Sequence, residues 1–103
     1  MKNKMMQTRL RIISLEFVSE HYLQLKVVSG SQPCGAVDLI SEKINFNIVG
    51  RHFFKGMETI KNIQSEYKED ILVFRFRNKK HLSFSCDGTT FTKIHAYISA
   101  FQK

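Results

Sequence analysis

The sequence has no tryptophan, one proline and only two cysteines among its 103 residues. Cys34 and Cys86 lie far apart in the chain, and a domain of this size can bury a sufficient core without a cross-link, which favours reduced thiols and a cytoplasmic location. No run of about eighteen apolar residues occurs, so no membrane-spanning helix is predicted. The basic start is interrupted by Gln7, Arg9 and Arg11, and no signal peptide is predicted either.

The common motifs of catalysis and ligand binding are also missing. The five glycines form neither a dinucleotide-binding pattern nor a phosphate-binding loop. Histidines and cysteines show no paired short spacing, so no metal site is predicted. Cys86 falls on the predicted inward side of a strand, where cysteine packs as a small apolar residue, whereas Cys34 is expected in an exposed loop without a neighbouring base. We therefore predict no catalytic residues, no cofactor and no enzyme activity; an enzyme built on Cys34 or His52 is the least favoured alternative.

The charge balance is the one global property that departs from the average. Sixteen lysines and arginines outweigh nine acidic residues, which gives a formal net charge of +7 and an isoelectric point near 9.7. Such a surface favours a negatively charged partner. This partner is an acidic protein surface, a nucleic acid or an anionic membrane face. A charge of this size also serves solubility alone, so it does not assign a function by itself.

The clearest secondary-structure pattern lies in the C-terminal third. Leu72, Phe74 and Phe76 alternate with outward residues and predict a half-buried strand over residues 71–77. After a polar break at residues 78–80, a second alternation predicts the other arm of a hairpin. Thr89 or Thr90 is expected to cap a final helix. The apolar stripe of that helix consists of Phe91, Ile94, Ile98 and Phe101.

The preceding part of the chain reads as strands followed by a helix. Residues 9–17 and 22–28 alternate and predict a first hairpin, with a bulge where the alternation changes phase between Ile12 and Ile13. Residues 29–35 are predicted to form an exposed loop. Residues 36–49 favour one long, interrupted strand, with a turn between two short strands as the alternative. Phe53, Met57 and Ile60 are spaced by three and four, so residues 52–68 are predicted to form a helix, which Gly56 weakens.

These elements predict an α+β fold with a mainly antiparallel sheet of about five strands in the order β-β-β-α-β-β-α. The two helices are expected to pack on one face of the sheet. Residues 9–103 are predicted to form a single domain after a flexible basic N-terminus at residues 1–8.

The strongest candidate site is a basic cluster. The second hairpin carries part of it on its outward side and tip, and the start of the predicted first helix carries the rest. If the two groups lie together, they form a cationic surface that binds carboxylates or phosphates. The predicted partner-binding residues are Arg75, Arg77, Lys79, Lys80, His81, Arg51, His52 and Lys55.

The sequence therefore predicts a small cytoplasmic protein that acts by binding another protein with an acidic surface. Its size and element order are similar to those of bacterial inhibitor or immunity proteins, which neutralise a toxin or nuclease, and this resemblance implies the same type of role. The alternative is a nucleic-acid-binding accessory protein that uses the same cationic residues. Exposed aromatic residues that would stack on bases are scarce in the predicted pattern, because Phe74, Phe76 and Phe84 are assigned to the core.

Overall fold

The structure is a computed structural model that describes residues 10–50 and 53–102. β-Strands make up 59% of these residues, so the domain is mostly sheet. The elements are β1 (Leu10–Ser19), β2 (Tyr22–Ser29), β3 (Gln32–Ile40), β4 (Lys43–Ile48), β5 (Phe54–Thr59), a 3-10 turn (Ile60–Asn62), β6 (Gln64–Lys68), β7 (Ile71–Arg75), β8 (His81–Ser85) and α1 (Gly88–Ala100).

The strands form one sheet in the order β5-β4-β3-β2-β1-β8-β7-β6. Neighbours in this order are antiparallel except β1 and β8, which run parallel and are joined through the single pair Arg11 and Ser85. The sheet thus consists of two antiparallel meanders that meet at one short parallel contact. β5 and β6 are its two edge strands.

The sheet curls so that its two halves face each other. β4 and β7 are five places apart in the strand order, which would separate them by about 24 Å in a flat sheet. The ring of Phe46 on β4 nevertheless lies 5.8 Å from the ring of Phe74 on β7, measured between centroids. Both side chains are buried, at 1% and 0% exposure. The core is therefore the inside of the curl.

Helix α1 covers one end of this curl. Its buried side chains are Ile94, Tyr97 and Ile98. The hydroxyl of Tyr97 donates to the backbone oxygens of His21 and Ser41, each at 3.0 Å, and so ties the helix to the β1–β2 and β3–β4 turns. After the helix, the side-chain amide of Gln102 donates to two carbonyls at the 3-10 turn. The opposite end of the curl carries no helix in the part of the chain that the structure describes.

The final helix confirms its predicted apolar stripe, but its cap differs from the prediction. Asp87, not Thr89 or Thr90, is the N-cap, and its carboxylate accepts a hydrogen bond from the backbone N–H of Thr90 at 2.8 Å. This hydrogen bond lowers the pKa of Asp87. The charged cap also suits the positive end of the helix dipole.

Both predicted hairpins are confirmed. β1 pairs with β2, and the register shift between Ile12 and Ser14 is the predicted bulge. β7 pairs with β8, and Phe74, Phe76 and Phe84 are buried as expected from their alternation. Local patterns were sufficient for β2, β7 and β8, because each of these strands has one face toward the core. β1 differs, since three of its apolar side chains are about half exposed, namely Ile13, Phe17 and Val18.

The predicted fold of about five strands and two helices is wrong, because residues 10–50 and 53–102 form eight strands and one α-helix. In place of the helix predicted over residues 52–68, the chain forms the strands β5 and β6, which lie at opposite edges of the sheet and are connected by the 3-10 turn. Ile60 and Ile63 are buried at that turn, which places apolar residues three apart without a helix. The spacing of three residues therefore comes from a tight turn between two strands and not from an α-helix.

The predicted long strand over residues 36–49 is also wrong. This part of the chain instead forms a hairpin of β3 and β4, and Ser41 in the turn between them has a positive φ of 51°. The exposed loop predicted over residues 29–35 is a short turn, because β2 extends to Ser29 and β3 begins at Gln32. The prediction of a flexible N-terminus at residues 1–8 lies outside the described residues.

Candidate functional site

A groove opens at the end of the curled sheet that α1 leaves uncovered. It has a volume of about 300 Å³ and lies between the edge strand β5 and the turn that joins β7 to β8. We call it the β5 groove. Its lining residues are Phe46, Phe53, Phe54, Lys55, Gly56, Met57, Glu58, Phe76, Asn78 and Lys80.

Three phenylalanine rings line the inner part of the groove. Phe46 contacts both Phe54 and Phe76 edge to face, with 5.4 Å between ring centroids in each case. Phe54 and Phe76 stack on each other at 5.4 Å. These separations are those of favourable aromatic pairs. The rings therefore form a fixed apolar surface that links β4 and β5 to the chain after β7.

The groove exists because one residue of β5 has no side chain. Gly56 lies directly opposite Phe46 in the β4–β5 register. A Cβ atom built on Gly56 would have no atom within 4 Å, and the backbone there is not in the left-handed region. The backbone does not require glycine at this position. The missing side chain leaves open space at Gly56, while the ring of Phe46 on the neighbouring strand stays buried at 1% exposure.

Cations outnumber acids among the residues that line the groove. Lys55 lines it from β5 and Lys80 from the turn, and Glu58 is the one acidic residue among its lining residues. The turn is held by its own hydrogen bonds, since the N–H of Phe76 donates to the oxygen of Lys80 at 2.9 Å and the N–H of Lys80 donates to Asn78 Oδ1 at 3.0 Å. The backbone that carries Lys80 is thus fixed relative to the rings.

Strand β5 adds an open sheet edge to this site. It pairs with β4 on one side and with no strand on the other among residues 10–50 and 53–102. Phe53 and Met57, at 65% and 60% exposure, are the two most exposed large apolar side chains of the described chain. An edge strand leaves alternate N–H and C=O groups without a sheet partner, so β5 offers both hydrogen bonds and apolar surface.

The structure brings together some of the predicted site residues. Lys55 and Lys80 come from two separate parts of the predicted cluster and line the same groove. Arg77 and Lys79 are exposed near it in the β7–β8 turn, and Lys79 has a positive φ of 72°. His81 is exposed at the start of β8.

Other predicted site residues lie apart from the groove or outside the described chain. Arg75 is held by an ion pair, in which its Nη2 and Nε donate to Glu66 Oε1 at 2.8 and 3.1 Å. Part of its charge is therefore neutralised by the neighbouring strand β6. Arg51 and His52 lie outside the described residues.

Sequence reasoning missed the aromatic and apolar residues of the site. Phe53, Phe54, Gly56 and Met57 were assigned to a helix, so neither the open edge nor the pocket opposite Phe46 was expected. The alternation of half-exposed Phe54 with outward Lys55 was the sequence signal for a strand. Two charged residues within six positions, Lys55 and Glu58, obscured that alternation.

The two cysteines do not form a reactive site. Both are free and buried. Burial, together with the nearby carboxylates of Asp87 and Asp70, raises the pKa of Cys86 to about 11. Cys34 is not in an exposed loop as predicted, because its thiol is buried on β3 and donates to the backbone oxygen of Val27. Burial raises its pKa as well, so both thiols stay protonated at neutral pH.

Two further findings concern only the residues that the structure describes. They contain no group of three or more histidine, cysteine or acidic side chains positioned to hold a metal ion. They also contain no helix long and apolar enough to cross a bilayer.

The chain was compared with known proteins in three ways. It matches no protein-family model, no curated protein sequence and no solved structure.

Proposed function

We propose that this protein acts by binding another protein, and that the β5 groove receives an extended, acidic segment of that partner. The observation that carries the proposal is the coincidence of an open edge strand, exposed apolar side chains and a cationic groove in one place. An extended segment can pair with β5 through main-chain hydrogen bonds, which is a common mode of peptide recognition. Lys55 and Lys80 would then attract its acidic residues.

A second exposed apolar surface is a weaker candidate. Ile13, Phe17 and Val18 on β1 are about half exposed. The charged residues nearest to Phe17 and Val18 in the chain are Glu16 and Glu20, which do not attract an acidic segment. At the β5 groove the excess of cationic over acidic lining residues has the same sign as the net charge of the whole protein.

The groove also favours a protein over a nucleic acid. Single-stranded nucleic acids bind to successive exposed aromatic rings that stack on bases, with cations along the backbone. Here Phe53 is the one strongly exposed ring of the groove, and Met57 and the acidic Glu58 lie beside it. An apolar edge with mixed charge fits a peptide segment better than a phosphate backbone.

The proposal is broader than the inhibitor or immunity role that the sequence first suggested. That resemblance depended on an element order that the structure does not have, so the nature of the partner is left at an acidic protein segment. The proposal keeps the cytoplasmic location that the two free cysteines favour. Binding, without a catalytic step of its own, remains the proposed activity.

Reversing the charge of Lys55 and Lys80 together, as Lys55→Glu with Lys80→Glu, is expected to slow association with the partner by about tenfold or more at low salt. The reason is that both positions in the groove would then repel an acidic segment. The partner is first retained on the wild-type protein from an extract of the native host and purified. Association rates of the variants are then measured at two ionic strengths, since the difference should shrink at high salt.

The control is the pair Lys61→Glu with Lys68→Glu, which changes the net charge by the same amount at exposed residues of the 3-10 turn and β6. If both double variants slow association equally, overall charge and not the groove is responsible. If the retained partner is a nucleic acid whose affinity falls log-linearly with salt, the protein-binding proposal is wrong.

A further inference from the structure

The open space at Gly56 is one part of the β5 groove and suits one side chain. The whole groove has a volume of about 300 Å³, at the lower limit of small-molecule sites, which range from about 300 to 1,000 Å³. It is also open along β5, so a ligand within it remains connected to the strand edge. Both features fit one side chain of a longer chain better than a separate small molecule.

The lining of the pocket favours an aromatic side chain. Of the three rings, Phe54 is the one that a ligand in the groove can reach, because it is half-buried, whereas Phe46 and Phe76 are buried at 1% and 8% exposure. A further ring can make edge-to-face or offset contacts with Phe54.

The charged residues around the groove indicate which residues flank the aromatic side chain in the partner segment. Lys55 and Lys80 line the groove against the single acid Glu58. Arg77 and Lys79 add cations in the adjoining turn. The protein's own first nine residues contain three basic and no acidic residues, so their charge does not complement the groove. A segment with acidic residues beside the ring does.

We infer that the open space at Gly56 receives one aromatic side chain from an extended acidic segment that pairs with β5. This inference rests on the function proposed above and deepens it, because it specifies what the partner segment must contain. Gly56 is then the residue that sets specificity, since its missing side chain provides the space. The main chain of β5 and the two lysines provide the remaining binding.

The test uses two short capped peptides that differ at one position. Each has alternating threonines and an acidic residue at both ends, and the central residue is phenylalanine in one and alanine in the other. Binding is followed by NMR on the full-length protein. The phenylalanine peptide is expected to bind at least about tenfold more tightly than the alanine peptide, because only it fills the apolar pocket. It should also shift the ring signals of Phe54.

The variant Gly56→Val occupies the open space at Gly56 and leaves the edge of β5 unchanged. Valine suits a strand, and its Cβ atom would have no other atom within 4 Å. This variant is expected to bind both peptides with the lower affinity of the alanine peptide. Gly56→Ala, which fills less of the space, should retain part of the preference and serves as a second variant if valine disturbs the fold.

The outcomes separate the two proposals. If wild-type protein binds both peptides equally, with shifts along β5, the aromatic pocket is wrong and edge pairing with an acidic segment stands. A further outcome is that neither peptide binds at millimolar concentration while binding of the natural partner still depends on Lys55 and Lys80. The partner then does not bind β5 as an extended segment, and the inference is overturned. A preference that persists in Gly56→Val also overturns it.

Discussion

Replacing Phe46 by alanine is expected to lower the free energy of unfolding by about 3–5 kcal/mol, the range for removing a buried phenylalanine. Phe46 is 1% exposed and contacts Phe54, Phe74 and Phe76. It therefore joins the two halves of the curled sheet and also forms the base of the groove. The loss would be a large part of the stability of a domain of this size, which is about 5–15 kcal/mol.

Phe53→Ala is the matched control for this experiment. It removes the same side chain from a position that is 65% exposed, and surface substitutions of this kind change stability by about 0.5 kcal/mol or less. Urea unfolding of both variants measures the difference. A cost for Phe46→Ala no greater than that for Phe53→Ala would mean that the two halves of the sheet do not pack through this ring.

Substituting Gly35 by alanine is expected to destabilise the fold by about 3 kcal/mol or more, from two separate causes. Gly35 has a φ of +142°, which residues with a side chain rarely adopt. A Cβ atom there would also lie 2.0 Å from the backbone oxygen of Asn47 on the neighbouring strand β4. Because the obstacle is backbone, neither strand can relieve the contact without breaking their pairing.

Gly56→Ala provides the comparison for this second substitution. Its position is open and its φ is ordinary, so alanine should leave stability unchanged or raise it by about 0.5–1 kcal/mol, the usual cost of glycine in a strand. Thermal and urea unfolding would show both effects. If Gly35→Ala unfolds at the same urea concentration as wild type, the close approach of β3 and β4 described here is incorrect.

The sequence predicted those parts of the fold in which a local pattern and the core agree. Leu72, Phe74 and Phe84 alternate with outward residues, and the strands β7 and β8 bury them as expected. The stripe of α1 likewise faces the core. In these elements one side of each segment is apolar and the other is polar, so the period of the pattern gives the structure directly.

The region from Phe53 to Lys68 could not be predicted in the same way. β5 lies at a sheet edge and exposes Phe53 and Met57, which removes the alternation that marks a half-buried strand. The buried Ile60 and Ile63 at the 3-10 turn then imitate helical spacing. The helix was predicted because two independent features, an exposed edge and a tight corner, produced apolar residues at intervals of three and four.

The site was predictable only in its charge. The sequence pointed to Lys55 and Lys80, which line the groove, but it also pointed to Arg75, which is paired with Glu66. The pocket depends on Gly56 lying opposite Phe46 and on the curl that brings Phe76 to the same place. Register and curl arise from pairing between distant strands, and no local pattern contains them.

Hydrogen exchange on the partner-bound protein tests the central claim most directly. A segment that pairs with β5 supplies acceptors for those N–H groups of Phe54–Thr59 that have no strand beside them, so their exchange should slow strongly on binding. Amides of the β7–β8 turn near Lys80 should slow as well, and those of β1 should not change. Protection that appears on β1 or α1 while the β5 amides exchange as in the free protein would contradict the account.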